Sequence, residues 1–328
     1  MRIAQLGTRH GHASGKWKAL VDNPDVTATG VWESNPEALE RARASGRYGS
    51  AHSYATLDEV LGDASIVAVA VEGRNHESLA MAQAAVAAGK HLWYDKPAGD
   101  DWPGFVSLME QARERGLLVQ IGYMFRYQPG FEQIASWART GRLGHIFAVR
   151  AHMSTHVNLH ERTEQSRHLG GIFYDLGGHM LDQVVWLLGR PNGIISVLRN
   201  DATPQLPSYS DNTVCLFEFD GALATVEIAA MEPRPMARRF EVYGTRGSAI
   251  TEPFDPGKRL RLTLDEPTDD FASGEHLLPL KTIRRQQMYE RELVAFVATV
   301  EGRQPPDRPP EHELLVQETL LRATGRIA

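Results

Sequence analysis

Arg2-Ile3-Ala4-Gln5-Leu6-Gly7-Thr8-Arg9-His10-Gly11-His12 opens the chain and decides how its first half is read. Ile3 to Leu6 has the apolar character of a buried strand, and Gly7 supplies a tight turn toward a helix. A strand, a glycine turn and a helix form the setting of a phosphate-binding loop, whose G-x-G-x-x-G pattern would place glycines at 7, 9 and 12. Only Gly7 matches; Arg9 and His12 occupy the other two positions. A side chain at the second position obstructs close backbone approach to a pyrophosphate. In compensation, Arg9 and His10 can bring charge to phosphate oxygens at a helix N-terminus. The expected loop contacts are therefore Gly7, Thr8, Arg9 and His10.

Working outward, strand-like runs recur at Val26 to Trp32, Ile66 to Val71, His91 to Tyr94 and Leu117 to Gly122. Helical segments at Lys16 to Asn23, Pro36 to Ser45, Ser78 to Ala88 and Pro103 to Arg115 separate them. Pro36 and Pro103 suit first-turn positions, and Gly89 and Gly116 suit C-terminal caps. Alternation of this kind predicts a doubly wound parallel sheet over residues 1–122. Glu33 ends the second strand about 20 residues after the loop, where a carboxylate binds adenosine ribose hydroxyls and repels a 2′-phosphate. That favours NAD over NADP, unless Glu33 simply faces water.

The composition fits a soluble globular protein of about two domains. The 328 residues are 42% hydrophobic and 23% charged, with a formal charge of -6. An acidic balance argues against nucleic acid as a partner. No apolar run reaches the roughly 18 residues of a membrane span. The single Cys215 rules out an internal disulfide and reads as a buried apolar residue. The opening strand leaves no room for a signal peptide, so a cytoplasmic location is expected.

After Gly122 the pattern changes. A helix near Pro129 to Thr140 precedes an alternating strand, Phe147 to His156. Further strands are expected at Gly193 to Asn200, Thr213 to Phe219, Ala222 to Ala230 and Arg239 to Tyr243. Asp220-Gly221 marks a hairpin, so this sheet is at least partly antiparallel. Residues 201–211 and 252–275 read as loops, and Arg284 to Glu301 as an amphipathic helix before a short closing one. Residues 123–328 thus read as a second domain of mixed strands and helices.

Gly170-Gly171-Ile172-Phe173-Tyr174-Asp175-Leu176-Gly177-Gly178-His179-Met180-Leu181-Asp182 carries the chemistry of that domain. On a helix starting near Asp175, the residues Asp175, His179 and Asp182 share one stripe. An imidazole beside a carboxylate is a candidate general acid/base, because the carboxylate fixes the tautomer and stabilises the imidazolium. The bland alternative is an aspartate cap and a core histidine. Lys96, in Tyr94-Asp95-Lys96-Pro97 at a strand's C-terminal end, is a candidate cation.

Three segments resemble the Gfo/Idh/MocA family (glucose–fructose oxidoreductase, inositol dehydrogenase and relatives). Ala88 to Pro97 resembles its aGKHVlxEKP motif, with Asp95 in place of Glu. Gly122 to Pro129 resembles GYxxRFxP, and Gly170 to Asp182 resembles GGxxxDxGxHxxD. The resemblance implies a Rossmann domain, an α/β domain with a large, mostly antiparallel open sheet, NAD as cofactor, and a sugar or polyol substrate. It also implies that Lys96 contacts substrate and nicotinamide ribose, that His179 is the acid/base, and that Asp175 assists. The family's TPN after the third strand is here replaced by Glu72-Gly73-Arg74-Asn75, which places Glu72 and Asn75 toward the cofactor.

Arg126, His156, Asn158 and His160 complete the expected substrate contacts, with Arg126 alternatively a structural ion-pair partner. His152, His156, Asp175 and His179 form an alternative metal site, although their spacing matches no compact metal signature. NAD-dependent oxidation of a secondary hydroxyl is the leading reading. The alternatives are a redox-neutral lyase, glycosidase or epimerase working through a transient ketone, a metal-dependent lyase or isomerase, and a non-catalytic binding protein. A homodimer or homotetramer is expected.

Overall fold

Ile3, Ala4 and Leu6 have no solvent exposure, which fixes the first strand in the middle of a sheet. The computed structural model describes residues 1–328. Its first ten elements are β1 (Arg2–Leu6), α1 (Ala13–Asp22), β2 (Thr27–Trp32), α2 (Pro36–Ala44), α3 (Leu57–Gly62), β3 (Ala68–Val71), α4 (Asn75–Ala87), β4 (His91–Tyr94), α5 (Trp102–Glu114) and β5 (Val119–Ile121). The five strands pair in parallel in the order β2-β1-β3-β4-β5. All four residues of β3 are buried, as expected of a parallel strand covered on both faces. Helix starts follow local chemistry: Asn35, Thr56 and Asp101 each accept a bond from a first-turn N–H of α2, α3 and α5. Strand order reverses between β1 and β3, so the loops after those strands flank the ligand crevice of such a sheet.

The next elements are α6 (Pro129–Arg139), β6 (Ile146–His152), α7 (Leu159–Gln165), α8 (Ile172–Leu188), β7 (Gly193–Arg199), β8 (Asn212–Phe219) and β9 (Ala222–Ala229). They are followed by β10 (Arg239–Gly244), β11 (Gly247–Thr251), β12 (Arg259–Leu264), β13 (Gly274–Pro279), α9 (Arg285–Val300) and α10 (Pro310–Ala323). Eight strands form one sheet in the order β13-β12-β11-β10-β6-β9-β8-β7. Every neighbouring pair is antiparallel except β6 and β9. The apolar α8 packs on β9, β8 and β6 and covers one face. No helix is long and apolar enough to cross a membrane.

Contacts divide the chain into two units: Met1–Met124 with Arg285–Leu314, and Phe125–Arg284 with Leu315–Ala328. The helix expected to close the second domain therefore groups with the first. The reason is polar as well as apolar. Gln286 of α9 donates to the Gly15 carbonyl at 3.0 Å, and buried Tyr289 and Glu292 face α1 residues His12 and Lys16.

Three local expectations are corrected. The 252–275 segment contains β12, whose alternating Leu260, Leu262 and Leu264 are buried while Arg261 and Thr263 stand between them. The strand expected over Phe147 to His156 ends at His152, so His156 does not share its polar face. Helix α8 starts at Ile172, which moves Asp175 from a capping position into the first turn.

Candidate active site

The loop after β1 is built on Gly7. Its φ is +89°, and a Cβ there would lie 2.5 Å from the Gly73 backbone nitrogen, so only glycine fits without strain. The loops after β1 and β3 are also joined by His10 N–H donating to the Glu72 carbonyl at 3.0 Å. Glu33 closes the other side. Its carboxylate accepts from Thr8 N–H and Thr8 Oγ1 at 2.8 Å each, from Arg9 Nε at 3.0 Å, and from Asn35 N–H at 3.0 Å. Arg9 continues to Glu77 of α4, with Nη2 2.6 Å from its carboxylate. Glu33 thus stands at the end of β2 as expected, and in this structure its carboxylate is engaged by the loop.

A cavity of about 320 Å³ opens beside this loop. Arg9, Arg41, Arg47 and Arg74 line it together with Thr8, Ser14, Ser45 and Tyr48, and no carboxylate does. Four guanidinium groups and several hydroxyls, gathered from the loop before α1, the end of α2 and the start of α4, suit phosphate oxygens. This donor set fits the diphosphate of a dinucleotide despite the two missing glycines. Asn75 starts α4 immediately after Arg74.

Beneath the loop lies a buried cluster that the sequence reading largely missed. Lys16 is fully buried, with Nζ 3.1 Å from Asp95, 3.4 Å from Glu72 and 3.8 Å from Glu292. His12 Nδ1 is 3.0 Å and His10 Nδ1 3.5 Å from Asp95 Oδ2. Burial would raise Asp95, but His10, His12 and Lys16 hold it well below the ordinary carboxylate range. Burial pushes Glu292 up to about 7 against the pull of Lys16, and it raises Glu72 as well. Burial would depress Lys16, yet the three carboxylates keep it above the ordinary lysine value. A signal was present in the sequence: Lys16 falls at a core position of the Ala13, Lys16, Trp17, Leu20 stripe. Glu292, which is distant in sequence, left none.

Lys96 follows Asp95 at the end of β4 and is buried, its N–H donating to Asp95 Oδ1 at 2.8 Å. In the second unit, α8 carries Asp175 and His179 four residues apart. Gln165 Nε2 donates to Asp175 at 2.9 Å, and Gln165 is itself held by Tyr209 OH at 2.6 Å. His179 is buried with its ring edge-on to Phe125, 5.1 Å between centroids. Asp182, one turn further, is ion-paired with Arg126 at 2.5 Å, and that guanidinium lies 4.0 Å from the Trp186 ring centre. Arg126 is thereby in the ion pair that the sequence offered as its alternative role.

The other expected residues are dispersed. His152 Nε2 lies 3.1 Å from Glu232, His156 and His160 are exposed, and Asn158 Oδ1 caps α7 through Glu161 N–H. His152, His156, Asp175 and His179 do not converge into a metal-binding group.

Comparison with known proteins decides the family. Residues 1–123 match the family model described as an oxidoreductase family with an NAD-binding Rossmann fold, and residues 131–250 match the GFO/IDH/MocA C-terminal domain. The chain belongs to the Gfo/Idh/MocA oxidoreductase family. Among relatives, an uncharacterized oxidoreductase of Rhizobium meliloti, ORF334, is 28% identical over 69% of each chain. The 1,5-anhydro-D-fructose reductase of Ensifer adhaerens is 25% identical over 77% of this chain and 75% of its own. Levoglucosan dehydrogenase, solved with NADH and levoglucosan, superposes with a TM-score of 0.84 at 16% identity, covering 99% of this chain and 97% of its own. The fold expected from sequence, a Rossmann domain plus a mostly antiparallel open sheet, is that of this family, and NAD is the cofactor of its nucleotide-binding domain.

Proposed function

We propose that the protein is an NAD(H)-dependent dehydrogenase acting on a secondary hydroxyl of a sugar, cyclitol or sugar-acid derivative. The observation that carries this reading is the Asp175 and His179 pair on α8, with Asp175 anchored by Gln165 and His179 withdrawn from solvent. Bound NAD would supply the hydride acceptor, its phosphates held by Arg41, Arg47 and Arg74 of the cavity beside the loop. His179 takes the hydroxyl proton, and Asp175 orients the imidazole and stabilises its charged form. The Lys96 ammonium stabilises negative charge developing on the substrate oxygen. His156 and His160 offer hydrogen bonds to further hydroxyls.

The proposal includes a homo-oligomer. Ile195, Val197, Val214 and Leu223 are each 40–56% exposed on the eight-stranded sheet, an apolar stripe that a second copy would cover.

The test is NADH formation with a panel of polyols, sugars and sugar acids, using wild type, Lys96→Ala and His179→Ala. Turnover in the wild type alone, with NADH affinity retained in His179→Ala, supports these roles. Equal turnover in all three would reject them.

A further inference from the structure

Three places where this chain departs from the family's sequence pattern meet at one point of the fold. His12 stands where the third loop glycine is expected, Asp95 replaces the glutamate before Lys96, and Glu72 stands in the segment that replaces TPN. In the structure, one ring nitrogen each of His10 and His12 and an Asp95 carboxylate oxygen all lie within 4.8 Å of one another. We propose that His10, His12 and Asp95 bind a divalent transition-metal ion of the zinc class. The proposal does not depend on the hydroxyl dehydrogenase reading, because none of the three is a residue of the Lys96, Asp175 and His179 set.

The spacing suits such an ion. His12 Nδ1 is 3.0 Å and His10 Nδ1 3.5 Å from Asp95 Oδ2. Zinc bonds of about 2.0–2.2 Å put neighbouring ligand atoms about 3–3.5 Å apart, whether the sphere has four or more members. Two imidazoles with one carboxylate select first-row transition ions over Mg²⁺ and Ca²⁺, which prefer oxygen donors.

A second, independent observation is Glu72. It has no solvent exposure, Oε1 has only the 3.4 Å ion pair with Lys16 Nζ and no hydrogen bond, and Oε2 has no hydrogen bond and lies 3.5 Å from His10 Nδ1. Charge completes the case. Asp95, Glu72 and Glu292 bring three buried carboxylates around the Lys16 ammonium. A concentration of buried carboxylates favours a cation bound beside them. Protons are the competing occupants, and metal analysis separates the two.

The local backbone explains how the ligands meet. His12 is the N-cap residue of α1 and His10 lies two residues before it, so both reach over the ends of β3 and β4, which carry Glu72 and Asp95. Lys16, one turn into α1, holds the carboxylates from the other side, as a supporting group holds a metal ligand in place.

The experiment uses tag-free full-length protein, dialysed against chelator and then metal-free buffer. Zn²⁺ is titrated by calorimetry, retained metal is measured by mass spectrometry, and Co²⁺ is added as a spectroscopic probe. One equivalent of Zn²⁺ should bind, and Co²⁺ should develop visible ligand-field absorption. His12→Ala and Asp95→Asn should lose stoichiometric binding, and Glu72→Gln should weaken it about 10–100-fold. Failure of the wild type to bind Zn²⁺ or to show the Co²⁺ spectrum overturns the proposal, and neither readout needs a variant to fold. Undiminished binding in correctly folded His12→Ala, or Mg²⁺ binding as tight as Zn²⁺, overturns it equally.

Discussion

Glu33 Oε2 accepts hydrogen bonds from both the backbone N–H and the Oγ1 of Thr8, each at 2.8 Å. An acid at the end of the second strand of a nucleotide-binding domain faces ribose hydroxyls in the simplest reading of sequence. Here it is the anchor of the phosphate loop. Glu33→Ala removes the common partner of Thr8 and Arg9 and should cost about 1.5–3 kcal/mol for the charged hydrogen bonds. A lowered melting temperature together with weaker binding of both NADH and ADP-ribose, measured by fluorescence and calorimetric titration, is expected. Unchanged stability with loss of adenosine-ribose affinity alone would restore the ribose role.

The Arg126 and Asp182 pair makes a purely structural prediction. Both side chains are at most 2% exposed, and Arg126 and Arg139 both approach the Trp186 ring. Asp182→Ala leaves a buried guanidinium without its counter-charge and should destabilise by about 3–5 kcal/mol. Denaturant unfolding checks this. Arg126→Met combined with Asp182→Leu should recover much of the loss, since an apolar pair removes both desolvated charges.

The fold was largely legible because parallel strands buried on both faces read as short apolar runs, and the helices between them carry proline and glycine punctuation. The strand β12 was missed because Pro253, Pro256 and Gly257 mark the stretch before it as loop, and only the three alternating leucines report the strand. The position of α9 was illegible for a different reason. Its amphipathic pattern says that one face is buried, but nothing local says against which helix. The site divides the same way. Asp175 and His179 lie on one helix, so their spacing exposes them, whereas Lys16, Glu72, Asp95 and Glu292 come from four elements and meet only in the folded chain. Arg126 lay ambiguous between substrate and ion pair until Asp182 was placed beside it.

Cys215 supplies a pH prediction. Burial in β8 pushes its thiol up to about 12, above the ordinary value. The native thiol should therefore stay unreactive toward Ellman's reagent through mildly alkaline pH and react fully in denaturant. The folded state holds the proton more tightly than the unfolded state, so this group's contribution is complete at neutral pH. It is lost as pH rises from the ordinary thiol value toward the folded one. Rapid native labelling at pH 8 would contradict the burial.

The exposed stripe of Ile195, Val197, Val214 and Leu223 predicts a dimer or larger assembly in analytical ultracentrifugation. Val197→Glu, on the edge strand β7, should shift the distribution toward monomer without lowering helix content by circular dichroism. A monomeric wild type would show that the face is left bare.

For the enzyme reading, the decisive measurement is NADH production when the purified protein is offered NAD⁺ with a broad panel of polyols, sugars and sugar acids. At least one secondary alcohol should yield ketone and NADH in equal amounts. His179→Ala should lower kcat by about 10²–10⁴ while leaving NADH affinity intact. Product formed without any NADH, or a protein that neither binds NADH nor turns over any member of the panel, would contradict the assignment.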